Sequence, residues 1–151
     1  MVDRTHLRQG EYVAMGGGAL LIIALFLTWY HVDRLGELNG TNGSFTGWDA
    51  HHILRWLLLL AGLAPFILAW IIVRGHKLTW RPGEITMIVG MTAFALIILN
   101  GVILGRPGDP DSEIDIKIGY IVGLIGAAMI CAGGIIRQAE GDRARKPPGT
   151  L

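Results

Sequence analysis

The chain has 151 residues, 52% of them hydrophobic and 17% charged, with 22 glycines, a mean hydropathy of +0.48 and a formal net charge of +1. A water-soluble domain carries about a quarter charged residues, and here the few charges are gathered between long apolar runs. That leaves no room for a soluble catalytic module and offers no broad basic surface for nucleic acid.

In chain order, a basic start with Arg4 and Arg8 leads into "YVAMGGGALLIIALFLTWY", residues 12–30, which lacks Asp, Glu, Lys and Arg. About 18 to 20 such residues cross the hydrocarbon core as a helix. The run has no small-x-small cleavage pattern, so it reads as an uncleaved first span rather than a signal peptide. Residues 31–52 form the first connection. His31, Asp33, Asp49, His51 and His52 lie in it, and imidazole and carboxylate are ligands suited to zinc or a similar ion. Against a metal site at His31, Asp49, His51 and His52, neighbouring histidines diverge by about 100° on a helix, and no HxxxH or HExxH pattern is present. Asp49 also suits the N-cap of the following helix. Between these groups, "NGTNGSFTG" reads as successive exposed turns and contains two glycosylation sequons, at Asn39 and Asn42.

A second span is expected at 53–73, with Arg55 snorkelling outward at its start and Pro65 kinking its middle. The connection 74–84 is basic, holding Arg74, His76, Lys77 and Arg81. The third span, 85–105, contains Asn100, expected to hydrogen-bond a neighbouring helix or interfacial water, and ends in Gly101 and Gly105, spaced for close helix packing. Residues 106–117 carry acids at Asp109, Asp111, Glu113 and Asp115. They begin like a calcium loop but lack the glycine at its sixth position and the glutamate at its twelfth, which leaves weak cation binding at most. Within them, "EIDIKI" alternates with strand period, predicting a short extended piece across the same face as the first connection. The fourth span, 118–137, displays Gly119, Gly123, Ala127 and Cys131 at i, i+4 spacing, widened by Gly126, Gly133 and Gly134. Such small-residue rows let helix backbones approach within a chain or between chains, and packing within the chain is the expectation here. Cys131 is the single cysteine, so no internal disulfide forms. The tail 138–151, with Pro147 and Pro148, is expected to be mobile.

Lysine and arginine set the orientation. Of the 13, nine lie in the N-terminal segment, in the middle connection, in the tail and at Arg137 where the fourth span ends, and four lie in or beside the first and third connections. Both termini and residues 74–84 are therefore expected in the cytoplasm, with 31–52 and 106–117 outside. The inner basic residues would face anionic lipid headgroups, at about 1 kcal/mol each. Trp29, Tyr30, Trp48, Trp56 and Tyr120 are expected at the outer interface, and Tyr12, Trp70 and Trp80 at the inner one.

The order "RQGEYVAMGGGALLIIALFLTWY", "GWDAHHILRWLLLLAG", "IILNGVILGRPGD" and "GYIVGLIGAAMICAGGIIR" resembles uncharacterised four-span integral membrane proteins of high-GC Gram-positive bacteria. The resemblance covers most of the chain and implies a fold and a membrane address but no activity. Trp29 and Gly47-Trp48 also echo claudin-type tetraspans, without the paired cysteines those carry in the first outer loop.

The expected fold is all-α, an integral membrane four-helix bundle forming one domain in the plasma membrane. No span carries a deeply placed acid or base, which counts against proton-coupled transport. No nucleophile, acid–base pair or cofactor motif is evident, so the leading function is non-enzymatic: a scaffold or accessory subunit that meets another membrane protein, a second copy or lipid. The alternatives are an oligomeric channel or small-solute transporter, with Pro65 and Asn100 at its constriction, and a membrane metalloprotein using the outer histidines.

Overall fold

A computed structural model of the protein describes residues 7–32, 43–100 and 114–145. These are mostly helical, with one small sheet. The first helix, α1, spans Gln9–Phe26. At its start Glu11 folds back so that Oε2 accepts the Arg8 backbone N–H at 2.7 Å, the acidic half of a capping box. The helix ends where Leu27 turns extended, and "TWYHV" continues as strand β1, Thr28–Val32. The apolar run expected to be helical through residue 30 therefore changes conformation after Phe26. Its last residues are aromatic and β-branched, types that fit a pleated surface better than a helix.

Strand β2, Gly43–Thr46, and strand β3, Ile114–Ile116, flank β1 in an antiparallel sheet of order β2-β1-β3. The "EIDIKI" alternation does mark a strand, and Tyr30 pairs with Ile116 and His31 with Asp115. Thus the first and third connections are sewn together at one end of the helices. A short helix, α2, Gly47–Ala50, follows β2. Its cap is Thr46, whose Oγ1 accepts the Asp49 backbone N–H at 3.2 Å and donates to Asp49 Oδ2 at 2.7 Å. Asp49 therefore does not cap the next long helix, as its position before that helix had suggested; it is held one turn earlier by Thr46.

Helix α3, Leu54–Val73, runs uninterrupted with Pro65 buried inside it. Helix α4, Pro82–Ile98, starts with proline at its first turn, where a missing N–H costs nothing, and residues 99–100 extend it as a π turn. Helix α5, Ile118–Arg145, has 28 residues, about 42 Å at 1.5 Å per residue. It stays helical through 138–145, the first part of the tail expected to be mobile. Gln9–Phe26, Leu54–Val73 and the Ile118–Arg143 stretch of α5 are long and apolar enough to cross a membrane, while α4 is a shorter apolar helix of 17 residues.

Helix α5 lies between α1 and α4 and antiparallel to both. A Cβ on Gly17 would stand 2.6 Å from the Gly126 carbonyl oxygen, and one on Gly133 would stand 2.6 Å from the Ala14 nitrogen and the Gly10 oxygen. On the other flank, Gly134 meets Met87 and the Gly83 carbonyl, and Gly90 meets the Cys131 backbone. Backbone therefore lies on backbone along both seams, which only residues without a side chain permit. Helix α3 closes on α1 at the Gly18–Gly62 crossing. Its contact with α4 is looser, leaving an apolar groove of about 360 Å³ between them.

Candidate functional site

The end of the molecule carrying the sheet is organised around two consecutive aromatic side chains. In a regular strand Trp29 and Tyr30 would point to opposite faces, yet both are fully buried. The register between β1 and β2 shifts between Thr28 and Tyr30, a bulge that turns both inward. The Trp29 indole lies where Cβ atoms on Gly47 and Gly119 would fall, at 2.5 Å from its ring atoms in each case, with Gly123 beneath it. Its Nε1–H donates to the Ala24 carbonyl at 2.6 Å, taking up an acceptor in the last turn of α1. Tyr120 packs edge-on to Trp29, and its hydroxyl donates to the Ile97 carbonyl at 3.1 Å, fastening the start of α5 to the end of α4. These three aromatics, expected at the lipid interface, form the core of a cap instead. By contrast Trp56, Trp70, Trp80 and Tyr12 are more than half exposed, as interface residues are.

His51 completes the cluster. It is buried, its ring centroid lies 5.8 Å from those of Trp29 and Tyr30, and its Nε2 sits 3.5 Å from the Tyr30 hydroxyl. Desolvation pushes its pKa down to about 4, so the imidazole stays neutral under ordinary conditions. His31 lies on the sheet, with Nδ1 3.0 Å from Ser44 Oγ. His52 is exposed beside His51, and Asp49 is held by Thr46. The four first-loop metal candidates, His31, Asp49, His51 and His52, are thus directed to different places. Among the described residues no group of three His, Cys, Asp or Glu could hold an ion. Of the third-loop candidates, Asp115 is exposed and pairs with Lys117 Nζ at 3.2 Å. Asp109, Asp111 and Glu113 lie outside the described residues, as do Asp33, Asn39, Asn42, Gly101 and Gly105.

Asn100 donates from Nδ2 to the Leu96 carbonyl of its own helix at 3.0 Å. It stabilises the π turn rather than reaching a neighbour. Arg55, expected to snorkel outward, lies over the Trp48 and Trp56 rings, 5.0 and 5.7 Å from their centroids, and donates to the Trp48 carbonyl at 3.3 Å.

At the opposite end, Glu11 is buried and its Oε1 lies 2.6 Å from Arg137 Nε. The approach falls off the line of a hydrogen bond, so the contact is one of charge. It joins the first turn of α1 to the point where α5 leaves its apolar stretch. Arg137 Nη1 is buried and has no hydrogen-bond partner among the described residues.

No protein-family model, curated protein or solved structure matches this chain.

Two features of these ends lay beyond sequence reading. The Glu11–Arg137 pair joins residues 126 positions apart; its only sequence signal is a lone acid at the mouth of an apolar run. The bulge at Trp29 leaves no composition signal, and it breaks the alternation that would otherwise mark "TWYHV" as a strand. The small-residue row of α5 also divides its work: Gly119 and Gly123 receive Trp29, Ala127 is buried, and Cys131 meets α4.

Proposed function

We propose that the protein is a small, non-enzymatic, multi-pass protein of the plasma membrane, a four-helix bundle with both termini in the cytoplasm, serving as a scaffold or accessory subunit for another membrane protein. Several features support this. Among the described residues Arg8, Arg74, Lys77, Arg81, Arg137 and Arg143 lie toward the end opposite the sheet, and only Arg55 and Lys117 beside it. The 17 residues of α4 and its π turn rise about 28 Å, close to the hydrocarbon thickness. The resemblance to four-span membrane proteins of high-GC Gram-positive bacteria points the same way.

The observation that carries the reading is how the interior is filled. Helices α1, α5 and α4 touch backbone to backbone at Gly17–Gly126 and Gly83–Gly134, which supports close packing rather than a wide channel between them. Helix α3, in contrast, keeps Trp56, Leu60, Ile67 and Trp70 more than half exposed along its length. A molecule built this way presents surfaces rather than a lumen. Photo-crosslinking from Leu60 in native membranes is expected to give one discrete adduct with a partner or a second copy. A protein that stays uncrosslinked, purifies alone and conducts ions in liposomes would overturn the reading.

A further inference from the structure

We infer that the end of the molecule opposite the sheet holds a binding site for a phosphate-bearing anion, either the headgroup of an acidic lipid or a free phosphate. The inference deepens the membrane reading above and depends on it only for the choice between those two sources.

A cavity of about 270 Å³ opens there, with Arg8, Arg81, Arg137, Gln138 and Asp142 among its lining side chains. The three arginines come from different parts of the chain. Arg8 precedes α1, Arg81 stands at the N-cap of α4, and Arg137 lies on α5. Gly83 makes the convergence possible: a Cβ there would lie 2.8 Å from the Gly134 carbonyl and 3.0 Å from Gln138. Its absence lets the start of α4 rest directly against α5.

The donors are available. Arg137 lines the cavity but spends its Nε on Glu11, and its Nη1 is closed off from solvent, so Arg8 and Arg81 supply the reachable donors. The Arg8 guanidinium has no partner among the described residues. Arg81 has only an exposed, 3.8 Å contact with Glu84 one turn on, which solvent weakens. Pro82 and Gly83, the first turn of α4, also line the cavity, and a helix start adds partial positive charge toward an anion. Asp142 opposes the three arginines within the lining, and Glu11 and Glu84 pair with Arg137 and Arg81 from beside it, so convergent donors rather than a net charge favour the anion. Guanidinium groups match phosphate oxygens with paired donors. The volume is just below the usual range for small-molecule sites, about 300 to 1,000 Å³, which suits a headgroup. In the proposed orientation the cavity lies at the inner headgroup layer, because α1 and α4 begin there and α5 turns polar at Arg137.

The test uses the full chain in neutral detergent and follows the rise in Tm on titration with phosphatidylglycerol, phosphatidylcholine, or inorganic phosphate against chloride. Phosphatidylglycerol or phosphate is expected to raise the Tm, while phosphatidylcholine and chloride do not. Stabilisation by phosphatidylglycerol alone assigns the site to lipid; stabilisation by inorganic phosphate as well assigns it to phosphate in general. Arg8→Gln with Arg81→Gln should weaken the effect at least about tenfold. Arg74→Gln with Lys77→Gln, which removes equal charge outside the cavity, should leave it unchanged. Asp142→Asn should tighten binding, a gain that a misfolded variant cannot imitate. The proposal falls if neither anion stabilises the native protein, if the cavity variant responds like the native chain, or if both double variants lose the effect equally. Membrane sidedness is read separately by thiol labelling: phosphate binding with reversed sidedness keeps the site and removes the inner-leaflet lipid as its source.

Discussion

A methyl group added to Gly126 should cost stability that the same group added to Gly141 does not. Both glycines lie on α5, so both alanine variants gain the same intrinsic helix preference, about 1 kcal/mol, and the gain cancels in the comparison. The surroundings differ. At Gly126 the new Cβ would stand 2.7 Å from the Leu21 nitrogen and 2.8 Å from the Gly17 oxygen, both backbone atoms of α1; at Gly141 it would meet nothing within 4 Å. Ordinary contact begins at 3.4 Å, 0.7 Å beyond the 2.7 Å approach to the Leu21 nitrogen, so α1 must retreat by about that much, and it cannot do so at one residue alone. The same seam includes Gly10, Ala14 and Gly133. Overpacking of this kind costs about 1–3 kcal/mol, which is the expected gap between Gly126→Ala and Gly141→Ala. Reversible unfolding in mixed micelles measures it directly. If Gly126→Ala proved as stable as Gly141→Ala, the backbone-on-backbone seam would not exist.

Two further outcomes follow from the ends of the molecule. His51 stays neutral in the folded cap to about pH 4 but takes up a proton near pH 6.5 once unfolded. The unfolded state therefore binds more protons in that window, and stability should fall as pH drops through it, by up to about 3 kcal/mol. His51→Phe should flatten the profile, as followed by tryptophan fluorescence, and an unchanged slope would put the titrating group elsewhere. Glu11→Gln should cost about 3 kcal/mol, near the lower end for a broken buried pair because Arg137 keeps 19% side-chain exposure. A double-mutant cycle with Arg137→Gln should show coupling of about 1–3 kcal/mol, whereas additivity would deny the contact any energetic role.

What the sequence makes legible depends on what each signal measures. Hydropathy found the helical runs because burial and lipid exposure both demand apolar side chains, whatever their direction. For the same reason it passes over the change from helix to strand at Leu27, where the run stays free of charge and the bulged strand buries two consecutive residues instead of alternating. The acidic third connection gave up its strand because "EIDIKI" alternates sharply. Trp29, Tyr30 and Tyr120 are not told apart in sequence from the exposed Tyr12, Trp56, Trp70 and Trp80, because interface and core favour the same rings; only the bulge and the glycines facing Trp29 decide between them. Asp49 does not cap the long helix because Thr46, three residues earlier, takes up its local hydrogen bonds. The inner cavity was illegible because Arg8, Arg81 and Arg137 meet only through tertiary packing.

The central claim is that lipid surrounds these helices, with the sheet outside and the arginine cavity within. With Cys131→Ala as background, single cysteines at His52, exposed beside the cap, and Thr79, exposed between α3 and α4, can be challenged with a membrane-impermeant maleimide on intact cells. His52→Cys should label at once and Thr79→Cys only after permeabilisation. Labelling of both positions in sealed cells, or the reverse pattern, would contradict the account.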